Sequence, residues 1–155
     1  MTKKIIIINV LIILVGVGGG VYTASNQHSW TDGLVDYWSF DDPMTTFTDE
    51  IRDVSENNNW GTFSGGIKPV GGIFGQALSF DMVDDYVDCW DDESSQITDN
   101  LTTEAWVKWV SKKGTIISKG TGTGYTQMWT FKVINDENLR FESRDTAGTG
   151  YGFYL

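Results

Sequence analysis

The chain has 155 residues, 11 Lys and Arg against 21 Asp and Glu, a formal charge of −10, one His, one Cys, 18 Gly, two Pro and seven Trp. That balance repels a nucleic-acid backbone or an anionic membrane surface. The single Cys89 excludes an intrachain disulfide framework or a cysteine zinc cluster. The 40% hydrophobic content argues against a disordered acidic tail. The length suits one domain, and abundant Gly, Thr, Val and aromatic residues lean towards sheet.

Met1-Thr2-Lys3-Lys4 is followed by a run from Ile5 to Val17 that is apolar except for Asn9 and Gly16. Gly18-Gly19-Gly20 and the small, polar stretch Thr23-Ala24-Ser25-Asn26 follow. A basic start, an apolar centre and a small-residue exit is the layout of a secretory signal. Ile5 to Tyr22 is also 18 residues without a charge, enough for a helix that spans a bilayer with the lysines inside. Residues 1–25 therefore read as a cleaved signal peptide or a retained membrane-anchor helix, and residues 26–32 as a linker. A β-rich core segment is the competing reading. Lys3 and Lys4 are the only charges in residues 1–25, so the exported remainder is more acidic than the whole.

From Gly33 onwards the pattern is short strands between polar turns. The predicted strands are Leu34–Phe40, Trp60–Phe63, Ala77–Phe80, Tyr86–Trp90, Leu101–Val110, Thr115–Ser118, Gln127–Ile134, Leu139–Ser143 and Tyr151–Leu155. Their spacing is that of a β-sandwich. Parity places Trp38 with Phe40, Leu78 with Phe80 and Leu139 with Phe141, and sends Ser39, Ser79 and Arg140 to the opposite faces. In Leu101–Val110, Ala105, Val107 and Trp109 form an apolar face, with Trp106 on the other side beside Glu104 and Lys108. Gly120-Thr-Gly-Thr-Gly124 lacks the helix and the lysine of a phosphate loop and reads as a hairpin tip.

Five blocks carry a family likeness: Gly33-Leu-Val-Asp-Tyr-Trp-Ser-Phe-Asp41, Asp53-Val-Ser-Glu-Asn-Asn-Asn-Trp-Gly61, Phe74-Gly-Gln-Ala-Leu-Ser-Phe-Asp-Met-Val-Asp-Asp-Tyr-Val87, Leu101-Thr-Thr-Glu-Ala-Trp-Val-Lys108 and Ile116-Ile-Ser-Lys119. From about Gly33 to about Phe141 the chain resembles the laminin G-like domains of the concanavalin A-like lectin/glucanase superfamily. The resemblance implies an all-β, antiparallel two-sheet jelly roll over 33–155. It also implies more strands than follow Phe141, so the domain reads as incomplete, with Tyr151–Leu155 an open edge for another chain. Where the family usually has glycine after Phe-Asp, this chain has Met82, so a different turn is expected at that hairpin.

Some relatives with this sandwich are glycosidases, which need two carboxyl groups about 5–9.5 Å apart. The chain offers no set of acids sharing one strand parity. Glu142 and Asp145 point to opposite faces, Glu104 has only Lys108 beside it, and Asp36 reads as an accident at a strand edge. His28 lies in the exit from the leader, and no other histidine is present to activate Ser or Cys89. The reading is therefore non-catalytic.

Binding residues are easier to nominate. Calcium takes six to eight oxygens, usually on loops. The resemblance implies an ion at a loop end of the sandwich, with Asp53, Asn57, Asn58 and Asn59, or Asp81, Asp84 and Asp85, as ligands. Backbone demands alone also enrich turns in Asp and Asn. Sugar binding needs an aromatic plate, for which Trp60 and Trp90 are least explained by core alternation, followed by Tyr125 and Trp129 flanking the glycine loop. Asn100-Leu101-Thr102 fits a glycosylation acceptor. The expected function is an exported or cell-surface binding and adhesion module for extracellular glycan or protein. The alternatives are the targeting part of a glycoside hydrolase or other surface enzyme, and a structural surface or filament subunit.

Overall fold

The computed structural model describes residues 5–8, 10–12, 33–41, 49–97, 101–109, 113–120, 128–135, 138–145 and 149–154. Val110, residues 121–127 of the glycine loop with Tyr125, Asn100, His28, the rest of residues 1–32 and Leu155 lie outside them. The chain divides into two units, residues 2–108 and residues 109–155.

The first unit holds β1 (Ile5–Ile8), β2 (Val10–Ile12), β3 (Asp36–Trp38), β4 (Glu50–Ile51), β5 (Gly61–Ser64), β6 (Lys68–Gly71), β7 (Gln76–Phe80), β8 (Tyr86–Asp88) and β9 (Trp106–Lys108). They form a four-stranded sheet β6-β7-β1-β9, a three-stranded sheet β4-β5-β8 and a pair β2-β3. The second unit is one antiparallel sheet in the order β10 (Gly114–Lys119), β11 (Met128–Asn135), β12 (Asn138–Arg144) and β13 (Gly150–Tyr154). Among the described residues the only helical piece is a 3-10 turn, Glu93–Ser95, capped by Asp92, whose side chain accepts from Ser94 N. No helix there is long and apolar enough to cross a membrane. The protein is an all-β, antiparallel structure.

Each of the nine predicted strands overlaps an observed one. Leu101–Val110 shrinks most, to Trp106–Lys108. The remaining strands were not legible in the pattern. β4 is only two residues long. Lys68–Gly71 contains Pro69, which cannot donate to a ladder and fits because β6 is an edge strand.

The N-terminal segment differs most from the helix reading. The run from Ile5 reads as a helix, yet Ile5–Ile8 and Val10–Ile12 are strands, paired to β7 and β9 and to β3. A run that is apolar but for Asn9 and Gly16 has no period to separate the two states, and isoleucine and valine favour a pleated backbone once strand partners are present.

Burial follows the parity at β3. Leu34, Asp36, Trp38 and Phe40 are buried and the residues between them only half so. In β7 both faces are buried, since Ala77, Leu78, Ser79 and Phe80 are all buried. Ser79 does not face solvent, since this central strand is covered on both faces. In the second unit, opposite residues share a face. The pairs Trp129↔Ser143↔Tyr151 and Phe131↔Phe141↔Phe153, with Val133↔Leu139, put the apolar residues together. Thr130↔Glu142 and Lys132↔Arg140↔Tyr154 make the other face.

Candidate functional site

The site grows from a polar frame that ties the first two familiar blocks together. The Asp53 carboxylate is almost wholly buried, at 1% exposure. Its Oδ1 accepts from Tyr37 N at 2.9 Å and Ser55 N at 2.8 Å. Its Oδ2 accepts from Asn59 N at 2.9 Å and lies 2.5 Å from Ser55 Oγ. A buried carboxylate is tolerable only when its lone pairs are filled in this way. Asn59 extends the frame: its Nδ2 donates to Asp36 Oδ1 at 2.6 Å and Ser94 Oγ at 2.8 Å, and its carbonyl accepts from Trp38 Nε1 at 2.8 Å. Asp36 is therefore a buried partner of Asn59, not an accident at an edge. Asn57 Nδ2 donates to Val35 O at 2.9 Å and Asn58 Nδ2 to Glu56 O at 3.0 Å, Asn58 sitting at φ +60°. Of the four residues nominated in this loop, Asp53, Asn57 and Asn58 bond the chain's own backbone, and the Asn59 side chain bonds those of Asp36 and Ser94.

A second clamp joins the ends of two other blocks. Asp41 Oδ1 accepts from Gln76 N at 2.6 Å, and Gly75, at φ +60°, lies so close that a Cβ there would stand 2.0 Å from that oxygen. Glycine is the residue that allows Asp41 to reach the start of β7.

The frame carries the two tryptophans nominated for ligand binding. β5 and β8 pair with Thr62 opposite Asp88, and one more step brings Gly61 beside Cys89. A Cβ on Gly61 would meet Cys89 Sγ at 2.9 Å and Val87 Cγ1 at 2.5 Å. The next step outward sets Trp60 and Trp90 at the same end of the two strands. Trp60 is 41% exposed with the Arg52 guanidinium 5.9 Å from its ring centre, and Trp90 is 73% exposed. Trp90 also has a left-handed backbone, φ +57°, held by Trp90 N donating to Asp88 Oδ1 at 2.9 Å. That conformation costs a residue with a Cβ about 1–2 kcal/mol. Cys89 sits between them with its thiol pushed up to about 12 by burial, reinforced by the charges of Asp36, Asp88 and Asp53.

At the β7–β8 hairpin, Asp81, Asp84 and Asp85 each offer a carboxylate oxygen, all within 4.8 Å of one another. Two of the three also hold the turn. Asp85 Oδ1 accepts from Gly66 N and its Oδ2 from Asp81 N, the latter at 2.6 Å, while Asp81 Oδ1 accepts from Val83 N at 2.8 Å. Met82 takes φ +67°, so the chain keeps the left-handed turn there and the different turn expected for a non-glycine residue does not occur. The three carboxylates suit a hard cation such as calcium, which would also relieve their mutual repulsion.

The remaining nominated residue, Trp129, lies in the second unit, half-buried and stacked on Phe141 with ring centres 6.3 Å apart. The acids weighed for catalysis have other partners. Lys132 Nζ donates to Glu142 at 2.6 Å and holds its carboxyl below the usual range, with Arg140 at 2.9 Å adding to the effect. Asp145 Oδ1 accepts from Thr149 N at 2.8 Å. Sequence reasoning missed Asp36 and Asp41 as parts of the frame. Their signal was their place beside Trp38 and Phe40, which became readable only once Asn59 and Gln76 were known to face them.

Compared with family models, curated proteins and solved structures, the chain matches none.

Proposed function

We propose that this chain is an exported, non-catalytic binding or adhesion module with a laminin G-like jelly roll, and that the Trp60–Trp90 end of β5 and β8 receives extracellular carbohydrate or a surface protein. The observation that carries the reading is Trp90, an exposed indole on a strained left-handed backbone. Folding alone would favour Gly or Asn at that position, and strain kept at an exposed residue points to use of the side chain. Trp60 at the same strand end supplies a second ring, and the Asn57–Asn59 and Asp91–Asp92 segments beside them supply polar groups of the kind that fix sugar hydroxyls. Calcium on Asp81, Asp84 and Asp85 belongs to the same proposal, as an ion that would stiffen the neighbouring hairpin.

Glycan-array binding by the full chain, measured with and without calcium, tests it. Binding that falls about threefold to tenfold in both Trp60→Ala and Trp90→Ala is the expected outcome, since an aromatic contact contributes on the order of 0.5–1.5 kcal/mol per ring. An array and a panel of surface proteins that stay silent under both conditions would sink it. A second reading, a structural surface or filament subunit, has one observation in its favour. β13 is an edge strand with Tyr151, Phe153 and Tyr154 exposed, a surface suited to strand pairing with another chain. Sedimentation of the full chain separates the two, a concentration-dependent polymer favouring the filament.

A further inference from the structure

In the sheet β6-β7-β1-β9, β1 is what joins β9 to β7. Ile5, Ile6 and Ile7 pair with Phe80, Ser79 and Leu78 on one side, and Ile6, Ile7 and Ile8 with Lys108, Val107 and Trp106 on the other. The β7 residues that β1 pairs with are among the most buried of the unit, with Leu78 at 0%, Ser79 at 6% and Phe80 at 9% exposure. Backbone N–H and C=O groups at such depth need partners, at a cost of about 1–3 kcal/mol for each left unpaired. Some strand must therefore fill the position. Yet the segment that fills it follows Lys3-Lys4 and opens an 18-residue uncharged stretch, which is the layout of an export leader. A cleaved leader is lost from the sheet, and a bilayer-spanning helix cannot be a strand within it.

We infer that the position between β7 and β9 is a strand-acceptor slot, occupied in the intact chain by Ile5–Ile8 and vacated when that segment is used for export. The vacated slot takes an extended apolar strand antiparallel to both neighbours, by main-chain hydrogen bonding, and the occupant assigned here is the Ile5–Ile8 sequence itself. The vacating step rests on the export reading, whereas the slot does not.

The slot is tested in the full chain carrying Cys89→Ala with Ile6→Cys and Lys108→Cys. Directly opposite residues of an antiparallel pair lie within disulfide reach. Mild oxidation should therefore remove two hydrogens from the intact mass. The pair Ile7→Cys with Lys108→Cys, one position off register, should close about tenfold more slowly. Equal closure in both pairs, or closure in neither, overturns the slot.

Exchange is tested by folding the full chain with a protease site placed at Ser25, cutting it in the folded state, and adding a fluorescent peptide of residues 3–12. The expected result is uptake that unlabelled peptide reverses, and at least tenfold weaker uptake of the same peptide carrying Ile7→Pro, which cannot donate to the ladder. No uptake, or equal uptake of the proline peptide, overturns exchange. The N-terminal mass of the exported chain tests the vacating step by itself. Loss of Lys3-Lys4 supports it, and recovery of an intact Lys3-Lys4 end with a closed 6–108 disulfide overturns it while leaving the slot in place.

Discussion

Trp90 and Cys89 are neighbours with opposite physical characters. The Trp90 ring is mostly in solvent and contributes little to packing, while its backbone is strained. Trp90→Gly should therefore stabilise the fold even as it removes the proposed binding surface. Relief of about 1–2 kcal/mol is partly offset by about 0.4–1 kcal/mol of added freedom in the unfolded chain. The expected net gain is about 0.5–1 kcal/mol, read as a thermal midpoint about 1–4 °C higher. A lower midpoint would mean that the indole packs in the fold and would remove the argument from strain.

Cys89 is the reverse case. Its thiol is pushed up to about 12 from 9.0. The folded state therefore holds the proton more tightly than the unfolded one, so this contribution to stability is fully present below pH 9.0 and is lost as pH rises from 9.0 towards 12. Denaturant melts across that window should show the decline. At pH 8, iodoacetamide should label the half-buried Cys89 more slowly in the native chain than in the unfolded one, and equal rates would contradict the burial.

At the scale of elements, the turns owe their shape to carboxylates. Asp53 fastens the loop before β5 to β3, Asp41 fastens the entry to β7, and Asp85 closes the β7–β8 hairpin. Removing Asp53 strands the amides of Tyr37, Ser55 and Asn59 together. With each buried unsatisfied donor costing about 1–3 kcal/mol, Asp53→Ala should destabilise by at least about 3 kcal/mol in urea titration. A loss below about 1 kcal/mol would show that water replaces the carboxylate and that the loop is not organised by it. The same residues explain why the loops were only half readable. Asp and Asn clusters announced a turn at both 53–59 and 81–85, but a turn-capping carboxylate and a metal ligand are the same residue type. Only the bonds formed separate Asp53, saturated by its own backbone, from the open side of Asp84.

At the scale of the whole molecule, a formal charge of −10 means that any cation stabilises the fold somewhat by screening self-repulsion. The calcium proposal therefore has to be read as a difference between variants. With a Kd of about 10⁻³ M, usual for extracellular modules, about 10 mM calcium adds about 1.4 kcal/mol. The full chain should then melt about 3–6 °C higher in calcium than in chelator. Asp84→Asn should lose most of that shift, while sodium at matched ionic strength should not reproduce it. Equal shifts in the two chains would assign the effect to screening alone.

The amino-acid sequence by itself determined the all-β class and the positions of nine strands, because alternation and turn residues are local signals that need no partner to be read. It also singled out Trp60 and Trp90, since neither fits a core parity. Three outcomes belonged to tertiary structure. Asp36 became a buried hydrogen-bond partner because Asn59, 23 residues away, faces it. Ser79 was buried because β7 is central and covered on both faces. Ile5–Ile8 became a strand because β7 and β9 offer backbone groups to pair with. For Asp36 and Ile5–Ile8 the deciding energy is the satisfaction of distant polar groups, and for Ser79 it is packing on a strand buried on both faces, none of which a window of neighbouring residues contains.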